Sequence, residues 1–371
     1  MSELKTCTYC GCELEEDDVY EFEGEYMCER CYDDNTCVCE SCGDRMWTDD
    51  DCGDSYISLC EGCRNEYYTR CCCCNSIISN DDAYYAENDD YEEEAYCQTC
   101  YNKYPHSIHS YSYKPEPIFY GNGPRYIGVE LEIDKGGKDN ENADDIMDAV
   151  NIGDELIYIK SDGSLDDGLE IVTHPMTLDF HKNEMPWNSL SEKALSLDYL
   201  SHQTGTCGLH CHVNRNSFGE EKEKQDECIS RVLYFVEHHW EELLKFSRRT
   251  ESQMNKWAAR YGFKSSPKEV MESAKKNTDI GRYACVNLTN YYTIEFRMFR
   301  GTLKVNTILA TLELVDLICQ MSLDKSDEEM SALSWTDFVS EISCEAYPEL
   351  ITYLKERQLY VNEPVECTEE M

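Results

Sequence analysis

The sequence predicts an α+β protein, with a domain of mixed strands and helices preceded by small metal-stabilised modules. Three observations carry that prediction. Cysteine pairs recur with a 32-residue period in the first hundred residues, and the composition changes character near residue 104. After that point short alternating strands mix with helical patterns without strict interleaving. At 371 residues the chain is long enough for two or three domains, one of them with a sizeable core.

The N-terminal repeat comes first. Seventeen of the 24 cysteines fall in residues 1–100. Cys7 and Cys10 form a C-x2-C pair, as do Cys28 and Cys31, and adding 32 gives Cys39, Cys42, Cys60 and Cys63. Adding 32 to Cys39 and Cys42 gives Cys71 and Cys74; Cys97 and Cys100 close the third set five residues late, after the acidic insertion around "AENDDYEEE". Two such knuckles complete a tetrahedral four-thiolate shell for Zn2+. The expected repeats span about 5–34, 37–66 and 69–103, each too small to bury a useful core, so metal would supply folding energy. A disulfide framework is the alternative; paired knuckle spacing and the lack of an apolar leader in "MSELKTCTYC" disfavour it and point to a reducing, cytoplasmic setting. Among Cys71, Cys72, Cys73 and Cys74, only the repeat period favours the outer two.

Charge narrows the partners. The chain has 75 acidic against 33 basic residues, a net charge of -42. Residues 1–105 alone hold 28 Asp/Glu and six Lys/Arg. Nucleic acid and anionic membrane surfaces are excluded as default partners, because both repel such a surface. No uninterrupted run of 18 apolar residues predicts a membrane span. The knuckle spacing resembles LIM-like and treble-clef zinc modules, although the usual LIM histidine ligand is missing. That resemblance implies a platform for a protein or basic peptide, or else a scaffold for the next domain.

Residues 104–124, rich in Pro, Ser and Tyr, read as an extended linker. His106 and His109 within it could be zinc ligands, but four cysteines already complete the third set. Strands follow at "RYIGVELEID" (125–134), "ELIYIK" (155–160), "LEIVTHP" (169–175) and "GLHCHVN" (208–214), with a late pair at "RYACVNL" (282–288) and "YTIEFRMFRG" (292–301). Helices are expected at 142–152, over much of 177–200, at 226–249 as one long amphipathic helix, and from Val305 onward into a polar tail. The expected domain is 125–322, followed by a helical region and tail over 323–371.

Strand alternation groups the polar side chains. Glu130 and Glu132 share the face opposite Ile127, Val129, Leu131 and Ile133; Glu170 shares one with Val172. His210 and His212 lie opposite Leu209, Cys211 and Val213, and Glu295 lies on a face with Arg297. Glu-x-Glu or His-x-His alone is more often a solvated face than a site. Four strands offering acids, imidazoles and arginines together point to a cation, because converging buried charge is costly without one. Carboxylates with an occasional His suit Mg2+ or Mn2+, and arginines beside them suit phosphate. That combination belongs to phosphoryl transfer.

The motifs "IGVELEI", "SDGSL…LEIVTHP", "CGLHCHV", "RYACVNL" and "TIEFRMFRGT", in this order over about residues 124–310, resemble the amidoligase family, a branch of the glutamine synthetase-like carboxylate–amine ligases. "GLHCHV" and "IEFR" are also similar to two segments of glutamine synthetase. The resemblance implies a curved antiparallel sheet cupping divalent ions, ATP as phosphoryl donor, and an amide or isopeptide bond made through an acyl phosphate. It implies Glu130, Glu132, Glu170, His210 and Glu295 as ligands of Mg2+ or Mn2+. His212 would contact nucleotide phosphates, and Arg297 would stabilise the transferring phosphoryl group. Glu132, Glu295 and Arg297 form the implied catalytic set. Arg282, Arg300 and Lys160 would bind nucleotide or substrate, with Asp162 nearby. An adaptor carrying an inactive ligase-like domain, and a small-molecule ligase of the glutamate–cysteine type, are the competing expectations.

Overall fold

The computed structural model describes residues 5–15, 18–85, 95–101, 107–276 and 280–361. His106, the acidic insertion after residue 85 and the end of the polar tail lie outside the described residues. The chain forms two units, Met1–His106 and Ser107–Met371.

The first unit repeats one small plan. A two-stranded hairpin carries the first knuckle, as in Thr36–Val38 with Arg45–Trp47 around Cys39 and Cys42. The residue after the knuckle's second cysteine takes a positive φ in every repeat: Gly11 at 73°, Gly43 at 80° and Asn75 at 61°. That left-handed step closes the turn, and the same three residues donate their backbone N–H to Cys7, Cys39 and Cys71. The second pair opens a short helix: Cys28 precedes Glu29–Asn35, and Cys60 precedes Glu61–Tyr67. Apolar cores are minimal, with Cys7, Leu14 and Met27 in one cluster and Cys39, Met46, Leu59 and Cys63 in another. Neighbouring repeats are stitched by a few contacts. Trp47 packs edge-on against Phe22 and donates Nε1–H to Glu23 at 2.7 Å, while Asp54 accepts from the Ile77 amide at 3.0 Å.

The second unit is built on a seven-stranded sheet: β1 (Ile108–His109), β2 (Ile127–Asp134), β3 (Ile157–Lys160), β4 (Gly168–Thr173), β5 (Gly208–Asn214), β6 (Val286–Asn287) and β7 (Thr293–Arg300). Its strand order is β1-β3-β4-β2-β5-β7-β6, antiparallel except for the β1–β3 pair. The α+β expectation holds. Ile127, Val129, Leu131 and Ile133 of the central β2 are fully buried. They join Leu209, Cys211, Val213, Ile294, Phe296 and Met298 in one core with the helices. The polar alternates are left on the other face.

Four expectations change. Residues 107–124 are not a free linker: β1 extends the sheet, Ile108 enters the core, and His109 stacks on Tyr113 at 3.6 Å. The long helix breaks into α1 (Lys222–His238) and α2 (Trp240–Ser247), because His239 leaves helical geometry at ψ 34°. The break sets its ring 4.6 Å from Phe235 and 5.6 Å from Trp335. "RYACVNL" gives only the two-residue β6, preceded by a turn of 3-10 helix. The core also runs past residue 322: helix Val305–Asp324 continues through it, and the Leu350 amide of a later helix donates to Glu313 at 2.7 Å. Helix Val305–Asp324 is long and apolar enough to cross a membrane by length and composition, but most of it is buried inside this unit.

His181 shows how tightly the start of the central strand is packed. Its ring is fully buried and Nε2–H donates to the Ile127 carbonyl at 2.9 Å. Burial pushes its pKa from 6.5 down to about 4, against a smaller opposing effect of that hydrogen bond. A base with a depressed folded pKa contributes stability above its unfolded pKa and loses it as pH falls towards the folded one. Chemical denaturation at pH 7 and pH 5 should therefore show a loss of about 2 kcal/mol from this group, and His181→Gln should remove that share of the difference. An unchanged pH dependence in the variant would contradict the neutral buried imidazole.

Candidate active site

In the first unit, the twelve predicted cysteines meet in three sets: Cys7, Cys10, Cys28 and Cys31; Cys39, Cys42, Cys60 and Cys63; Cys71, Cys74, Cys97 and Cys100. Within each set the sulfurs lie within 4.8 Å of one another, and each set could hold a metal ion. The third resolves the choice left open by spacing, since Cys71 and Cys74 converge and Cys72 and Cys73 do not. Burial pushes the Cys7 and Cys39 thiols up, but backbone N–H donors outweigh it and bring both down to about 6. Donors of this kind favour the thiolate that Zn2+ takes.

In the second unit, the register brings the polar face together. On β2, Glu130 sits opposite His210 of β5 and Glu132 opposite Glu170 of β4; His212 then sits opposite Glu295 of β7, and Glu295 opposite Asn287 of β6. Two clusters with metal-ligand geometry result: Glu130, His212 and Glu295, and next to it Glu132, Asp162 and Glu170. His210 lies between them, with Nδ1 3.3 Å from Glu130 and 3.9 Å from Glu295, and Nε2 4.0 Å from Glu132.

Each acid has its own counterweight. Arg297 donates to Glu295, whose other oxygen accepts from Asn287 at 2.7 Å and Asn290 at 3.2 Å. Lys160 is 3.0 Å from Glu170. Glu132 accepts from the Gly208 amide. Burial pushes the Glu130 carboxyl up, but the two histidines outweigh it and hold it well below its usual range. Burial would lower His212, but Glu130 carries it up to about 9. In the second cluster burial wins: Glu132 is raised, and Glu170 is pushed up to about 8 by burial and the Glu130 charge, against Lys160.

The donor set fits hard divalent ions, with five carboxylates and an imidazole. His212 Nε2 is buried and faces Glu130 Oε1 at 3.2 Å. A cavity of about 370 Å³ opens over Glu130, Glu132, Asp162, Glu170 and His210. Arg249, Arg282 and Arg297 line its sides, with the rings of Tyr111, Trp257 and Tyr283. Arg282 bonds the hydroxyls of Tyr111 and Tyr283.

Several expected residues sit elsewhere than implied. His212, expected on nucleotide phosphates, lies in an acid cluster; the expected ligand His210 lies between the clusters, because strand twist brings His212 diagonally to Glu130. Arg300 follows the core-side alternation of Phe296 and Met298, donates to the Thr204 carbonyl at 3.0 Å and does not line the cavity. Lys160 engages Glu170 and is also outside the lining. Arg249 and Tyr111 were missed. Both lie outside regular strands, where no periodicity marks a direction.

No family model matches the chain, and no curated protein matches it. Among solved structures it is similar to the crystal structure of a bifunctional glutathione synthetase from Pasteurella multocida. The identity is 12%, the TM-score is 0.33, and the match covers 64% of this chain and 47% of that one. The chain therefore matches about half the length of that protein, and a similarity this weak fixes neither fold nor activity.

Two outcomes follow from this geometry. Metal analysis of the purified protein should find about three zinc ions per chain, and mutating Cys74 to Ser should remove about one of them while Cys72→Ser removes none. The second concerns Gly208, where an added Cβ would lie 2.6 Å from both Arg249 Nη2 and His210 Nε2. Gly208→Ala should weaken Mn2+ binding, followed by paramagnetic resonance, by roughly 10- to 100-fold with zinc content unchanged. Wild-type Mn2+ affinity in that variant would argue against the pocket as the divalent site.

Proposed function

We propose that the second unit is an ATP-dependent carboxylate–amine ligase of the amidoligase, glutamine synthetase-like kind, working on a substrate that the first unit presents. The observation that carries this reading is the pair of adjacent carboxylate clusters meeting at β2, with Glu130 and the whole Glu132 cluster lining one cavity beside three guanidinium groups. Glu130, His212 and Glu295 would hold one Mg2+ or Mn2+, and Glu132, Asp162 and Glu170 another, with His210 serving both. Such ions neutralise phosphate charge when bound. The twelve cysteines would hold structural Zn2+.

The chemistry needs two displacements. A substrate carboxylate oxygen attacks the γ-phosphorus of ATP and ADP leaves; the amine nitrogen then attacks the acyl carbon and phosphate leaves, with the amine proton passing to a base. Arg297, held against Glu295, would meet the charge that develops on the transferred phosphoryl group. Glu132 and Glu295 complete the catalytic set by fixing the reacting groups, while Arg282 and its two tyrosines border the substrate end. The acidic first unit suits a protein or basic peptide partner rather than nucleic acid or a membrane surface. Its thiols suit a cytoplasmic setting.

Hydroxylamine in place of the amine makes the test general, since it traps an acyl phosphate as a hydroxamate. The protein with ATP, Mg2+, hydroxylamine and a panel of carboxylates should release phosphate and form hydroxamate in equal amounts. A Glu132→Ala, Glu295→Ala double variant should lose at least 100-fold of both. Phosphate release no greater than in the double variant across the panel would leave an adaptor with an inactive ligase-like domain.

A further inference from the structure

The three repeats of the first unit compare themselves. Two residues after the second cysteine of each leading knuckle stand Cys12, Asp44 and Ser76, equivalent by the 32-residue period. Their backbones are equivalent too. The amide of the first cysteine in each set donates to that residue's carbonyl: Cys7 to Cys12 at 2.8 Å, Cys39 to Asp44 at 2.8 Å and Cys71 to Ser76 at 2.9 Å. Between each such residue and its knuckle lies the left-handed Gly11, Gly43 or Asn75. The turn carries the next side chain back to the second sulfur. In the third repeat Ser76 Oγ lies 3.1 Å from Cys74 Sγ; in the first, the Cys12 thiol donates to Cys10 Sγ at 3.4 Å.

These side chains differ in what they can do. A hydroxyl can only bond the neighbouring sulfur, and neither it nor a carboxylate reacts with a mild oxidant, whereas a thiol does. Cys10 and Cys12 are both exposed, so a small oxidant reaches the pair from solvent. Gly11 between them has no atom within 4 Å of where a Cβ would stand. Its torsions are therefore free to bring the sulfurs to a bonding distance of about 2 Å.

We propose that Cys10 and Cys12 are a dithiol modification site, through which hydrogen peroxide opens the first zinc site. This rests on Zn2+ being held by the first unit and is independent of the ligase chemistry. The Cys12 sulfur attacks one peroxide oxygen, the O–O bond breaks, and water leaves with the thiol proton. The Cys10 thiolate then attacks the Cys12 sulfur, the S–O bond breaks, and hydroxide leaves to take a proton from solvent. One S–S bond has formed, both sulfurs are oxidised, and the peroxide is reduced to water. The ion keeps only Cys7, Cys28 and Cys31 of its set. That is one thiolate short of a tetrahedral shell, and the apolar cluster of Cys7, Leu14 and Met27 is too small to replace it.

The test takes the full zinc-loaded chain with hydrogen peroxide and a chromogenic zinc chelator, followed by peptide mass mapping. Wild type should release about one zinc ion per chain more than Cys12→Ser, and mapping should place a bridge between Cys10 and Cys12. A dithiol reductant with added Zn2+ should reverse both. Cys12→Ser keeps the kind of side chain that the third repeat uses, so it should hold its full zinc before oxidation. Asp44→Cys should carry the property into the second repeat and release about one further ion. Equal release from wild type and Cys12→Ser, or a bridge from Cys12 to any sulfur but Cys10, would overturn the site. So would loss of zinc from Cys12→Ser before any oxidant, which would make Cys12 a structural ligand, or release from Asp44→Cys no greater than from wild type. A purified chain without zinc would instead count against the metal reading, and the mapped bridge would still decide the pair.

Discussion

Everything in the second unit turns on putting two carboxylates, Glu130 and Glu132, on the central strand of a sheet whose other face is the core. The apolar row of β2 is fully buried and fixes the strand's register, so the alternate residues have no freedom to turn away. Their neighbours on β4, β5 and β7 face the same constraint, and Glu170, His210, His212 and Glu295 converge as a result. Like charges at that spacing are tolerated only with countercharges, protons or cations between them. Histidine and arginine serve one cluster and raised carboxyl pKa values serve the other.

The two units solve the problem of stability in different ways. The first has little apolar core and brings twelve thiols together in three sets that could each hold a metal ion, with left-handed turns after each leading knuckle. The second buries a large continuous core through sheet and helices. That rigidity keeps the clusters apart from the core yet fixed in position, as the reading of the site requires. Specific hydrogen bonds hold the segments around the cavity: the Arg248 side chain donates to the Arg300 carbonyl, and the Gly208 amide at the start of β5 donates to the Glu132 carboxylate.

Much of this was legible in the residues. The 32-residue period and the C-x2-C pairs together named the twelve cysteines, because a knuckle is a local structure whose two sulfurs are set by a single turn. The period of two named the polar face of each strand for a similar reason, since alternation is a property of the extended backbone alone. Both are local rules. The long helix failed because the break at His239 is made by rings that pack from Phe235 and Trp335, and no spacing signals that. Residues 107–124 failed as well, because proline and serine content marks a lack of helix and cannot register that Ile108 pairs with β3.

Sequence by itself determined which residue types face together on each strand, and hence that acids, histidines and arginines would gather on one face. Only the tertiary structure decided which strands are neighbours and how they twist past each other. The order β4-β2-β5-β7 made Glu130 meet His212 and Glu295 and left His210 between two clusters. It also brought in Asp162, Tyr111 and Arg249 from turns and loops. Periodicity is fixed by the chain's own geometry, whereas the meeting of distant segments is fixed by how the whole core packs.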